Sequence, residues 1–279
     1  MILVTGATGT VGREVVAHLV AAGQPVRAAT RRTATAQLPD SVDVVYADLG
    51  DPASLPAVMD DVDRVFLISA GPQIPLHDSN VVRAAGGAHI VKLSSGRAGD
   101  PAATDPIPTW HRAGEQAVRD SGLPWTFLRP MGFMANALMW ASSIRDHDTV
   151  YAPYAGGRIA TIDPYDVAAV ATTVLTSPGH ENQTYTLSGP EALSPAEQVA
   201  ILANVLARPL KYVEVTPEIA RQSIVDHGVP ANIADAIMAL RATALDEFTS
   251  IIHPSVEKLT GTPATSFRDW AVRNVESFR

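Results

Sequence analysis

Gly6, Gly9 and Gly12 lie three residues apart, between an apolar run and a helical pattern at the start of this chain. Residues 2–5 are apolar or β-branched and read as a buried strand. Val11, Val15, Val16, Leu19 and Val20 then recur at helical spacing and stop at Gly23, a suitable C-terminal residue. Strand, glycine turn and helix in that order make an anion cradle. One glycine permits the tight turn, one removes the β-carbon that would block a pyrophosphate, and one lets the helix pack close to the strand. The phosphates of a dinucleotide would sit beside Thr8, on the free N–H groups of Thr10 and Val11 at the positive end of the helix.

The end of the second strand bears on which dinucleotide is held. An acid there accepts the ribose 2′-hydroxyl of NAD, whereas arginine pairs with the 2′-phosphate of NADP. The stretch VRAATRR carries no acid and places Arg31 and Arg32 at that point, which favours NADP(H) while still admitting NAD(H). Ser69, Ala70 and Gly71 follow the fourth strand and are small enough to let the cofactor's ribose pass close to the backbone.

The elements that must position these residues alternate short β-branched runs with helical segments, the signature of a parallel sheet covered on both faces. Strands are expected at 2–5, 26–29, 42–46, 64–68, 89–94 and 125–129. Helices are expected after the glycine turn, after the Asp51-Pro52 pair and over 108–122, with later ones beginning near Asp163, Pro230 and Ser266. QTYTLSG reads as another strand, Ser194-Pro195-Ala196-Glu197 as a capping box opening a helix, and 211–215 as a short strand. The expected fold is α/β: a Rossmann-like, doubly wound parallel sheet over 1–150, completed by 157–187, with a small C-terminal α/β lid domain. The lid comprises 188–279 together with loops from 131–157.

Composition excludes several other classes of function. With no cysteine among 279 residues, there is no disulfide, thiolate metal site or cysteine nucleophile. A formal charge of −8 argues against a phosphate-tracking surface, so nucleic acid is not an expected partner. No uncharged apolar run approaches the roughly 18 to 20 residues of a bilayer span, and no charged leader precedes the first strand. The expected setting is a reducing cytoplasm, with no membrane partner.

Two motifs carry a resemblance to a known family. The run Thr5-Gly6-Ala7-Thr8-Gly9-x-x-Gly12 resembles that of extended and atypical short-chain dehydrogenase/reductases. His111-x-x-x-Glu115, the run from Ser121 to Thr126, and Leu128-Arg129-Pro130 followed by Phe133-Met134 and Asn136 resemble the NmrA-like branch, especially its NAD(P)H:quinone oxidoreductase-like members. The resemblance extends over nearly the whole chain. It implies NAD(P) binding and a cleft beneath a C-terminal lid. Asp48 and Leu49 would border the adenine, Ser94 the cofactor, and the backbone of Pro130, Met131, Gly132 and Phe133 the nicotinamide. The Tyr-x-x-x-Lys pair usual in short-chain dehydrogenases is missing.

Without that pair, His111 is the candidate proton donor, with its charge tuned by Glu115 one helical turn on. These two, with no third ligand, fall short of a metal site. Phe133, Met134, Asn136, Met139 and Trp140 would form an apolar wall carrying one amide, and Asn136 joins His111 as a catalytic candidate. Tyr154, Tyr151 and Tyr165 are further candidates at the cleft mouth. The leading reading is an NAD(P)H-dependent oxidoreductase that passes hydride to a quinone or related aromatic carbonyl compound. Two alternatives stand beside it. One is a tailoring enzyme of aromatic polyketide quinones, either reductase or monooxygenase. The other is a non-catalytic NAD(P) redox sensor that binds a protein partner.

Overall fold

A computed structural model describes residues 1–279. The chain runs β1 (Ile2–Thr5), α1 (Thr10–Ala21), β2 (Val26–Thr30), β3 (Asp43–Tyr46), β4 (Arg64–Leu67), α2 (Ile74–Ala84), β5 (His89–Leu93), α3 (Pro106–Asp120) and β6 (Trp125–Pro130). It continues through α4 (Ala141–His147), β7 (Thr149–Ala152), α5 (Pro164–Thr176), β8 (Gln183–Leu187), α6 (Pro195–Leu206) and β9 (Lys211–Glu214). The last elements are α7 (Pro217–Asp226), α8 (Ala231–Ala242), α9 (Ser255–Thr260) and α10 (Phe267–Arg273). Seven strands form one parallel sheet in the order β3-β2-β1-β4-β5-β6-β8, the Rossmann-like arrangement expected from the alternation of elements.

Both faces of the sheet are covered, so its inner strands are near-continuous apolar runs. The two-residue repeat of a strand divides them between two cores. Ile2 and Val4 of β1 pack with Val11, Val15 and Leu19 of α1 and Val167 and Val170 of α5. Leu3, between them, belongs to the opposite core with Val81 of α2 and Val118 of α3. A third core joins Met134, Ile144 and Val150 to Leu202 of α6 and to Phe267 and Trp270 of α10. There β7 and β9 pair as a separate two-stranded parallel sheet.

Several local signals act as the sequence predicts. Asp163 caps α5 by accepting from the Tyr165 N–H at 2.9 Å. Ser194 and Glu197 close a reciprocal capping box on α6. Two segments differ from expectation. Asp51 accepts from the Ala53 N–H, yet no α-helix follows; Pro56 has no N–H to continue one, and two short 3₁₀ turns form instead. The helix α2 was not anticipated, because its buried face carries Asp78 and Asn80 beside Ile74 and Val81 and so lacks a clear apolar stripe.

Candidate active site

The sheet order reverses between β1 and β4, and a crevice opens at the carboxyl ends of strands at such a point. Thr5 ties the two strand ends together: its Oγ1 accepts from the Ile68 N–H at 2.7 Å and donates to the Ile68 carbonyl at 3.0 Å. Gly6 turns the chain above this tie with φ +58°, a left-handed conformation that favours glycine. A β-carbon on Gly12 would lie 2.2 Å from the Gly6 carbonyl oxygen, so only glycine lets α1 start this close to β1. Gly9 has ordinary extended backbone, and a β-carbon there would meet only the Gly6 oxygen, at 3.3 Å. The helix α1 opens with no side-chain cap and no acid in its first turn. Its unpaired N–H groups are therefore left to an outside anion, and the cradle fits a dinucleotide pyrophosphate.

Four lobes run on from one another along this edge of the sheet. The first, about 230 Å³, is lined by Gly6, Thr8, Arg31, Arg32, Asp48 and Leu49. Gly6 and Ile68 are shared with a central lobe of about 420 Å³ lined by Gly9, Thr10, Val11, Gly12, Ser69, Ala70, Gly71, Ser94 and His111. His111, Phe133 and Asn136 are shared with a third lobe, which adds Pro130, Met131 and Gly132. Gly132, Phe133, Asn136 and Arg241 lead into the fourth, where Trp140 and Tyr154 complete the wall. Every residue expected to border the cofactor thus lines one continuous cleft. Arg31 and Arg32 are exposed and meet no carboxylate.

Beneath the cleft lie two buried polar networks. Glu115, fully buried, accepts from Ser94 Oγ at 2.7 Å and from Arg129 through both carboxylate oxygens, at 2.8 and 2.6 Å. Arg119 adds a longer contact of 3.3 Å. The second network places Lys92 Nζ 2.6 Å from Asp78, with both side chains fully buried, while Ser69 Oγ donates to the same carboxylate at 2.6 Å. Gly114 of α3 makes room for this pair, since a β-carbon there would overlap Asp78 Oδ2 at 2.1 Å.

His111 faces the cleft with its Nδ1 buried and without a partner. Burial, aided by the nearby Lys92 charge, pushes its pKa down to about 3, so the ring is neutral at ordinary pH. This corrects the expectation that Glu115 tunes it. Glu115 points to Ser94 and Arg129, and the charge acting on the ring is that of Lys92.

The substrate candidates divide. Phe133, Asn136, Trp140 and Tyr154 line the fourth lobe. Met134 does not: it is 1% exposed inside the third core, because the turn that brings Asn136 to the cleft buries Met134, two residues earlier. Tyr151 and Met139 are exposed outside the wall, and Tyr165 stacks edge-on against His18 at 4.4 Å, away from the chamber. Trp110, Ile107, Arg97 and Arg241 line the cleft without having been anticipated. For Lys92 a signal did exist, as a lysine within the apolar run of a central strand must be paired.

A family model described as NAD(P)H-binding matches residues 6–178. Over its full length the chain is 44% identical to a (4-alkanoyl-5-oxo-2,5-dihydrofuran-3-yl)methyl phosphate reductase of Streptomyces griseus, covering 99% of that protein. It is 39% identical to an NAD(P)H azoreductase of Xenophilus azovorans, covering 100% of this chain and 99% of the relative. The structure of an Escherichia coli NADPH-dependent quinone oxidoreductase complexed with NADPH superposes with a TM-score of 0.86 at 27% identity, covering 99% of this chain and 100% of the other. With the glycine cradle, the arginine pair and the missing Tyr/Lys pair, these likenesses place the chain in the NAD(P)H-binding family, among the NmrA-like atypical short-chain dehydrogenase/reductases, as an NAD(P)H-dependent oxidoreductase.

Proposed function

We propose that this protein uses NADPH to reduce small, flat, electron-poor carbonyl compounds, of which quinones and conjugated lactones are the types its relatives suggest. The observation that carries this reading is the continuity of the cleft, from the glycine cradle past His111 to a chamber walled by Phe133, Trp140 and Tyr154. The activities named for the S. griseus and X. azovorans proteins are both reductions and differ at the acceptor: a butenolide phosphate in one and an azo bond in the other. Both acceptors are conjugated and electron-poor, and reductases at this similarity favour turnover over a sensing role. Arg31 and Arg32, unpaired at the far lobe, support a preference for the 2′-phosphate of NADPH.

NADPH, when bound, supplies hydride. The chain's own residues hold the acceptor flat, exclude water and steady the oxygen on which charge develops. His111, being neutral, acts as a hydrogen-bonding group toward that oxygen and not as a strong acid. Asn136 offers an amide in the same lobe. A quinone requires no more, because the reduced oxygen is basic enough to take its proton from water. Bulk reducing dinucleotide makes the cytoplasm the fitting location, and no helix is long and apolar enough to cross a membrane.

The test is the loss of NADPH absorbance when a naphthoquinone is added to the purified protein. Quinone-dependent oxidation of NADPH to NADP+ is expected, with one quinone reduced to hydroquinone per NADPH, the hydride coming from the cofactor and the proton from water. Saturable NADPH binding with no oxidation across a panel of quinones and butenolides overturns the reading.

A further inference from the structure

Arg241 occupies the last turn of α8 and lines both the third and the fourth lobes. Neither lobe is lined by an aspartate or a glutamate. Other arginines around this region meet carboxylates: Arg158 meets Glu197, Arg208 meets Asp148, and Arg273 meets Asp163. Arg97, which shares the third lobe, is offset by Asp100, Asp105 and Asp246. Arg241 has only the Met139 sulfur, at 3.4 Å, a weak and uncharged acceptor. Arg241 is half-buried, and a guanidinium that faces a chamber with no acid beside it is free to pair with an anion from outside. Burial does lower its pKa, yet an arginine keeps its charge.

The surrounding groups suit an anion as well. Asn136, Gln198 and Tyr154 line the fourth lobe with it and can all donate. Thr161, 7% exposed, lines the same lobe, and its buried Oγ1 has no partner. The helix dipole of α8 accounts for a cation in its last turn, but not for four potential donors lining the same chamber without an acid.

We infer that Arg241 is the anion anchor of the substrate chamber, and that the substrate is a conjugated carbonyl compound bearing an oxyanion arm of phosphate-ester or carboxylate type. This rests on the reductase reading above and deepens it. With the oxyanion on Arg241, the reacting end of the molecule lies in the third lobe, which His111 also lines. The anchor thereby sets which end of an asymmetric substrate faces the cofactor.

The test compares a neutral naphthoquinone with two of matched ring and arm, one ending in phosphate and one in carboxylate. The expected result is that kcat/KM favours an anionic substrate by about 10- to 100-fold, the worth of a charge-assisted hydrogen bond, chiefly through KM. Which anionic arm wins distinguishes the two oxyanions. Arg241→Gln should erase that advantage and Arg241→Lys should restore part of it, whereas a purely structural role would lower all three substrates alike. Binding of inorganic phosphate to the NADPH-saturated protein and its Arg241→Gln variant, followed by calorimetry, gives a readout independent of turnover. Reduction with no anionic preference, together with phosphate binding indifferent to Arg241, overturns the anchor and leaves the reductase standing. Phosphate binding that depends on Arg241, with no quinone reduced, overturns the reductase reading and leaves the anchor.

Discussion

Gly9→Val and Gly12→Ala separate the two tasks of the glycine cradle. At position 12 the new methyl carbon would lie 2.2 Å from the Gly6 carbonyl oxygen and 2.9 Å from the Ala7 Cα. Both are backbone atoms, and the closer contact is roughly 1 Å inside normal van der Waals distance, so α1 must lift from the end of β1. That disturbs the seating of Val11, Val15 and Val16 in the first core, and the expected cost is about 3 kcal/mol, the upper end for overpacking. Position 9 is different. Its φ of −82° and ψ of 175° suit any residue, and its β-carbon would meet only one oxygen, at 3.3 Å. Stability should stay within about 1 kcal/mol of the parent. The valine would instead occupy the space over the free N–H groups of α1. Losing two charge-assisted hydrogen bonds to phosphate costs about 3 kcal/mol or more, which raises the NADPH Kd about 100-fold or more. Urea unfolding and titration of nicotinamide fluorescence measure the two effects. The reasoning is refuted if Gly9→Val binds NADPH as tightly as the parent, or if it unfolds as early as Gly12→Ala.

Removing the arginine pair, as Arg31→Ala with Arg32→Ala, should weaken NADPH by about 10- to 100-fold while moving NADH far less; equal losses in fluorescence titrations would sink the 2′-phosphate assignment. His111 contributes a pH dependence to the cofactor-free protein. Its pKa falls from 6.5 unfolded to about 3 folded, so below 6.5 the unfolded chain binds a proton that the folded one refuses, and stability declines as pH drops toward 3. Between pH 7 and pH 5 this amounts to about 2 kcal/mol, so in urea unfolding at the two pH values His111→Gln should lose about 2 kcal/mol less than the parent on acidification, and equal losses would count against the buried neutral ring. Asp78→Asn strands the fully buried Lys92 and should cost about 3–5 kcal/mol in urea unfolding; a loss below about 1 kcal/mol would show that the pair is not desolvated in solution.

What could be read from the sequence was whatever is written in local order. The strand, turn and helix around Gly6, Gly9 and Gly12 are contiguous, so their residue types report their geometry directly. Likewise Ser194 and Glu197, three residues apart, specify a helix start whatever surrounds them. Helix α2 was illegible because its buried Asp78 and Asn80 look solvent-facing until their partners are known: Lys92 for the first, the Leu49 carbonyl for the second. Met134 shows the converse. Its apolar type agrees equally with a cleft wall and with a core, and only the direction of the turn from Phe133 to Trp140 decides between them. Arg241 gave no signal at all, since an arginine ending a helix is commonplace and its lack of a carboxylate is a property of the folded surroundings.

The absent Tyr/Lys pair takes on a different meaning once the buried networks are seen. A lysine is present near the reacting end of the cleft, but it lies beneath it, fully buried and spent on Asp78. In the usual arrangement a lysine makes a tyrosine a better proton donor. Here burial holds the His111 imidazole neutral, the lysine's charge adds to it in the opposite sense from an acid partner, and Glu115 is withheld from that ring by Ser94 and Arg129. With His111 held neutral, the cleft has no protonated imidazole at its reacting end to deliver a proton in step with hydride. It therefore suits acceptors whose reduced form is stabilised by conjugation long enough to be protonated by water, and suits poorly a simple ketone, whose alkoxide requires its proton at once. Rate against acceptor class follows: quinones and conjugated lactones should turn over while unconjugated ketones of similar size should not. A saturated ketone reduced as fast as a quinone would show that a proton donor exists which this geometry does not contain.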